Sequence, residues 1–196
     1  GDDAALLPAA AGSLLLACEG LHPELVEQDP WFAGWSGVLV NLSDIAAMGG
    51  RPLALVNSLW SGDVGHADRI LEGMHVASET FQVPVVGGHT NLHSPYNALS
   101  VAVLGVAAGP VLSARFARPG DQCHLLINTS GHVHHPYPCW DAATRAEPAL
   151  LRSHLALMAE LAEAGTVHAA KDISMGGLIG TAVMFTEAAG CGLELD

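Results

Sequence analysis

Along residues 31–46 the apolar positions Phe32, Trp35, Val38, Leu39, Leu42, Ile45 and Ala46 recur at steps of three and four, the spacing that lines one face of a helix. Asp29-Pro30 supplies the start, a cap followed by a proline in the first turn. Gly49-Gly50 supplies the stop, because glycine accepts the left-handed turn at a helix end. Further amphipathic helices are predicted over 68–81, over 148–164 and over 176–189, the last two closed by Gly165 and Gly190. Shorter apolar runs between turn residues predict strands over 13–18, 52–60, 83–86, 98–107 and 123–128, with another beginning at 193. Residues 129–147, rich in Gly, Pro, His and Trp, read as a long loop. Strands alternating with helices in this way predict an α/β or α+β fold. The turn sequence Ala117-Arg118-Pro119-Gly120-Asp121 marks a boundary close to 111–118.

The 196 residues suffice for one large domain or two small ones, and with half of them apolar and 14% charged they have ample material for a core. The longest apolar runs, such as 53–56 and 101–108, are too short to span a bilayer, so no membrane partner is expected. No secretory leader is visible, and the chain starts at Gly1 inside what reads as a motif, so a trimmed chain is expected. The net charge of -13, with a single lysine among seven basic residues, leaves no basic stripe for nucleic acid. A nucleotide remains compatible with this charge if a divalent metal neutralises its phosphates. Cys18, Cys123, Cys139 and Cys191 form no CxxC pair, which disfavours a zinc ribbon and fits reduced thiols in a cytoplasmic protein.

Acidic residues stand where a crevice would receive them. Asp2 and Asp3 precede an apolar run, Glu19 ends the first predicted strand, Asp44 follows Asn41 by three residues on a helix, and Asp172 stands before Gly176-Gly177 at the mouth of another. Converging carboxylates repel unless a cation sits among them, and an oxygen-only set suits magnesium. Each acid also has a structural reading: a solvated terminus for Asp2 and Asp3, an exposed helix acid for Asp44, a helix cap for Asp172. Gly87-Gly88 and Gly176-Gly177 permit close backbone approach to a phosphate, and also occur in ordinary turns. Neither GxxxxGK[ST] nor GxGxxG is present, and no GxSxG elbow supports a serine hydrolase. His132, His134 and His135 cluster in the 129–147 segment and could hold metal or simply face solvent.

Four blocks occur in order: Gly1-Asp2-Asp3-Ala4-Ala5, then Val40-Asn41-Leu42-Ser43-Asp44-Ile45-Ala46-Ala47-Met48-Gly49-Gly50, then Gly87-Gly88-His89-Thr90, and finally Asp172-Ile173-Ser174-Met175-Gly176-Gly177-Leu178. Together they resemble the aminoimidazole ribonucleotide (AIR) synthase-like, or PurM-like, superfamily. Its members include AIR synthase, thiamine-monophosphate kinase, selenophosphate synthetase and the hydrogenase maturation dehydratase. Trp31-Phe32-Ala33-Gly34-Trp35 and Tyr137-Pro138-Cys139-Trp140-Asp141-Ala142-Ala143-Thr144 resemble the AIR synthase-related branch in particular.

The resemblance implies two domains: an N-terminal mixed-sheet, ATP-binding domain over 1–112 that forms a dimeric β-barrel, and a shortened C-terminal α/β domain over 113–196. It further implies a cytoplasmic homodimer that uses ATP and Mg2+ to activate or phosphorylate an oxygen of a small-molecule substrate. The alternatives are a catalytically silent nucleotide-binding dimer and a thiamine-monophosphate kinase-like enzyme. On the same basis Asp2, Asp3, Glu19, Asp44 and Asp172 are the expected metal ligands, and Asn41, Gly87, Gly88, His89, Thr90 and Lys171 the expected nucleotide contacts. Glu19 and His89 depart from the kinase branch, which has aspartate at both places. No N-terminal Cys or Lys nucleophile segment supports selenide chemistry.

Overall fold

The computed structural model describes residues 2–9, 12–137 and 139–194. Its centre is a five-stranded mixed sheet built from β1 (Ala5–Ala9), β2 (Gly12–Gly20), β3 (Gly50–Trp60), β4 (Val85–Asn91) and β5 (Ala98–Ala107), in the order β1-β2-β5-β3-β4. Only β3 and β4 run parallel; the other pairings are antiparallel. A parallel pair needs a crossover, which α3 (Val64–Phe81) provides. A short helix α1 (Pro23–Gln28) and the long α2 (Pro30–Ala47) connect β2 to β3. Asp29 caps α2 by accepting from Phe32 N at 3.3 Å, as its sequence predicts.

Period-two alternation sends Leu15 and Ala17, Leu55 and Leu59, and Leu99, Val101 and Val103 to one face of the sheet. There they join Val38, Leu42 and Ile45 of α2 and Ile70, Met74 and Ala77 of α3 in one buried core. The opposite face is also apolar but uncovered by the described residues. Leu16 pairs with Leu104, which pairs with Ala54, and Val56 pairs with Ala102. Leu16, Val56 and Leu104 remain 36–44% exposed.

Where α2 and α3 cross, their backbones touch. A Cβ on Gly34 would lie 2.0 Å from the Ile70 carbonyl oxygen, and one on Gly73 would lie 2.0 Å from that of Trp31. The two glycines let the helices approach closely, which holds α2 low over the sheet.

Beyond the sheet come a 3-10 turn (Ala114–Phe116), a hairpin of β6 (His132–His134) and β7 (Cys139–Asp141), and helices α4 (Pro148–Glu163) and α5 (Gly177–Ala189). Three expectations are corrected. The segment 129–147 is not all loop, since it contains this hairpin. The strand expected over 123–128 has no regular structure, and Leu125, Leu126 and Ile127 are 45–59% exposed. A strand is defined by its ladder, and no described residues pair with this one. Residues 193 and 194 also lack regular structure, and Leu195 lies outside the described residues. No helix among the described residues is long and apolar enough to cross a membrane.

Candidate functional site

The acids expected to converge divide into three groups. Asp3, Asp44 and Asp172 come together, each with a carboxylate oxygen within 4.8 Å of the others. They arrive from three places: the segment before β1, the last turns of α2 and the approach to α5. Asp44 is 7% exposed, and its Oδ2 is buried with no hydrogen-bond partner among the described residues. Asn41, one turn earlier, is fully buried; its Nδ2 donates to Gly37 O at 2.7 Å and its Oδ1 has no partner among the described residues. Two partnerless oxygens on one helix face are a costly arrangement unless a proton or a cation meets them.

Lys171 is the cation already present. Its Nζ donates to Asp3 Oδ1 and lies 3.6 Å from Asp172 Oδ1, and the Asp172 amide donates to Asp3 Oδ2 at 3.4 Å. Its head therefore points into the acids, and its side chain is only 11% exposed. Burial disfavours the Lys171 charge, but the hydrogen bond to Asp3 and the charges of Asp3 and Asp172 outweigh it and hold the ammonium above its ordinary value.

Glu19 stands near enough for its charge to act on Asp44 and Asp172, although it is exposed and outside the three-acid cluster. Asp2 is engaged elsewhere. Both of its oxygens lie 2.9 Å from Ser113 Oγ, and Arg115 Nε is 3.8 Å away. Asp2, Met48, Ser113, Arg115 and Phe116 line an open cavity of about 770 Å³.

Gly87, Gly88, His89 and Thr90 form the exposed middle of the edge strand β4 rather than a loop after it. Gly88 has φ +152°, and a Cβ there would strike Asn57 Oδ1 at 2.2 Å and Asn57 O at 2.5 Å. Its glycine is required by the neighbouring strand. Asn57 itself is 9% exposed with Nδ2 unpartnered, a buried polar group that sequence reasoning missed because it looks like any strand residue.

One lysine does not balance these acids. Burial raises the Asp44 carboxyl, and the charges of Asp172, Glu19 and Asp3 raise it further, to about 8. Burial and the Asp3 charge raise Asp172 in the same direction. The folded protein thus holds the Asp44 proton up to about pH 8, whereas the unfolded chain releases it near 3.8. The resulting stabilisation is complete below the unfolded value and is lost as pH rises through the folded one. At about 1.4 kcal/mol per unit this is at most about 6 kcal/mol. In urea denaturation without divalent metal, wild type should lose stability relative to Asp44→Asn between pH 4 and 8. Parallel curves for the two proteins would contradict this account.

A second cluster lies on the hairpin: His132, His134 and Asp141 each offer a ligand atom within 4.8 Å of the others. Burial pushes the Asp141 carboxyl up, but hydrogen bonds from the Thr144 hydroxyl and the Thr144 and Ala143 amides, with the His132 charge, outweigh it and hold the group below its ordinary value.

The chain is 53% identical over its whole length to an uncharacterized protein of Synechocystis sp., spanning 61% of that protein. The chain therefore spans under two thirds of this relative's length. Thiamine monophosphate kinase of Aquifex aeolicus, solved with AMPPCP and TMP, is 28% identical, with a TM-score of 0.54 over 60% of this chain and 39% of that one. PurL of T. maritima, solved with ADP, shares the fold at 22% identity and a TM-score of 0.75, over 96% of this chain and 31% of that one. Residues 1–107 match the N-terminal domain of AIR synthase related protein and residues 124–196 match its C-terminal domain, so the chain belongs to the AIR synthase-related family.

Proposed function

We propose that this chain binds ATP with magnesium at the Asp3, Asp44 and Asp172 cluster, as the nucleotide site of an enzyme that activates or phosphorylates an oxygen of a small-molecule substrate. The observation that carries the reading is the buried Asp44, whose Oδ2 has no partner among the described residues and which clusters with two further carboxylates. An oxygen-only donor set with spare negative charge fits a hard dication. The nucleotide complexes of the related kinase and of PurL are consistent with it.

Magnesium held there would neutralise phosphate charge during transfer. The chain's own residues do the positioning. Asp44 on α2 and Asp172 before α5 would hold the metal, and Asp3 is joined to Asp172 through Lys171. Lys171 sets the charge of the acid cluster. Arg115, with a side chain 65% exposed on the cavity wall beside Asp2, is placed to meet an anionic oxygen. Asn41, Gly87, Gly88, His89 and Thr90 are the proposed nucleotide contacts, and Glu19 and Asp2 the outer acids of the site. The uncovered apolar face of the sheet is assigned to a second copy of the chain, because an apolar face of this kind is stable only when covered.

Calorimetric titration of ATP, with and without magnesium, tests the reading. Binding is expected only when the metal is present. No binding under either condition would overturn the nucleotide assignment, and binding without ADP release across a substrate screen would assign the silent alternative.

A further inference from the structure

We propose that the β6–β7 hairpin carries a second, independent metal site, in which His132, His134 and Asp141 bind a transition-metal dication of the zinc class and staple β6 to β7. The site begins with strand geometry. Residues two apart on a strand share a face, so His132 and His134 project to one side of β6. The antiparallel register sets Asp141 directly opposite His132, and the three ligand atoms fall within 4.8 Å of one another. Two imidazoles and one carboxylate form a donor set unlike the acid cluster. Imidazole nitrogen selects zinc-like ions over magnesium, and three protein ligands leave a coordination position open.

The ligands are already oriented. Asp141 is 6% exposed; its Oδ1 accepts from the Ala143 and Thr144 amides at 2.9 Å each, and its Oδ2 accepts from the Thr144 hydroxyl. The His134 ring stacks on Phe32 with centroids 3.7 Å apart and planes 8° from parallel, and the Tyr137 ring lies near-parallel at 6.4 Å. His134 Nε2 donates to Asp29 Oδ2 at 2.9 Å, the kind of carboxylate partner that fixes the tautomer of a metal-binding histidine. Asp29 is also the cap of α2, and Phe32 lies in its first turn. Two three-residue strands have little cohesion of their own. A metal shared by His132, His134 and Asp141 would tie the two strands together, and His134 already joins them to α2 through Asp29 and Phe32.

Zinc titrated into the chelator-treated full chain, in competition with a chromophoric chelator, tests the site. One equivalent is expected to bind, and His132→Gln should weaken it at least tenfold. The His132 side chain is 42% exposed, so its replacement leaves the fold intact, which circular dichroism would verify. Cobalt(II) should give visible ligand-field bands that disappear in the His132→Gln/His134→Gln double variant. Asp44→Asn should leave zinc binding unchanged, which separates this site from the proposed magnesium site. Absence of stoichiometric zinc, equal affinity in the double variant, or loss of zinc binding in Asp44→Asn would each overturn the proposal.

Discussion

Asp44→Ala should weaken magnesium-dependent ATP binding by about a hundredfold or more, about 2.7 kcal/mol, while the metal-free protein remains folded. Alanine removes the buried carboxylate whose Oδ2 lacks a hydrogen-bond partner, the ligand that other groups can least replace. Asp172 is partly exposed, and Asp3 already accepts from Lys171. The effect on stability should run the other way above neutral pH. The charge of Asp44 is opposed there by burial, Asp172, Glu19 and Asp3, and the substitution removes that burden. Weaker binding together with unchanged or greater metal-free stability is the signature of a ligand position, because a merely structural residue would lose both. Asp2→Asn is the contrast, with a smaller expected effect on affinity, since Ser113 and Arg115 already occupy its carboxylate. Calorimetry on the variants checks both, and an Asp44→Ala affinity equal to wild type would exclude the cluster as the metal site.

Gly34→Val is expected to cost about 3 kcal/mol or more of folding stability. A Cβ at this position would lie 2.0 Å from Ile70 O, 2.9 Å from Ile70 C and 3.0 Å from Met74 N. All three are backbone atoms of α3, which cannot rotate aside as a side chain would, so the helices must separate. Separation lifts α2 and moves Asp44 with it, and nucleotide binding should fall in parallel. Gly73→Val should behave alike, and the double variant should lose less than the sum because both act at one crossing. Gly180→Ala, also in a helix but facing open space, should be neutral or slightly stabilising. Urea denaturation followed by fluorescence of Trp31 and Trp35, whose rings stack 5.7 Å apart at this crossing, reads the difference. A Gly34→Val midpoint matching wild type would show that the helices do not approach as described.

Two apolar segments with the same local signal met different fates. The run 98–107 became β5, the strand between two partners. The run 123–128 has comparable strand propensity but no ladder among the described residues and stayed exposed. Propensity describes what a segment can do, and pairing determines what it does. The short β1, β6 and β7 carry too few residues for a periodic signal, and the six-residue α1 lies in the same range.

The amino-acid sequence by itself determined the long helices, because their spacing, caps and stopping glycines act within a few residues of one another. It also determined the mixed helix-and-strand class, the ordered motif blocks and the list of candidate acids. Only the tertiary structure decided which acids meet. Asp2 and Asp3 are neighbours in the chain, yet one is held by Ser113 and Arg115 while the other joins Asp44 and Asp172. Gly88 likewise reads only as a glycine that permits close backbone approach, and the structure adds a second demand on it, because β3 places Asn57 against it. The reason is the same in each case: charge repulsion, steric exclusion and strand pairing depend on distances between residues far apart in the chain, and those distances exist only once the core has closed.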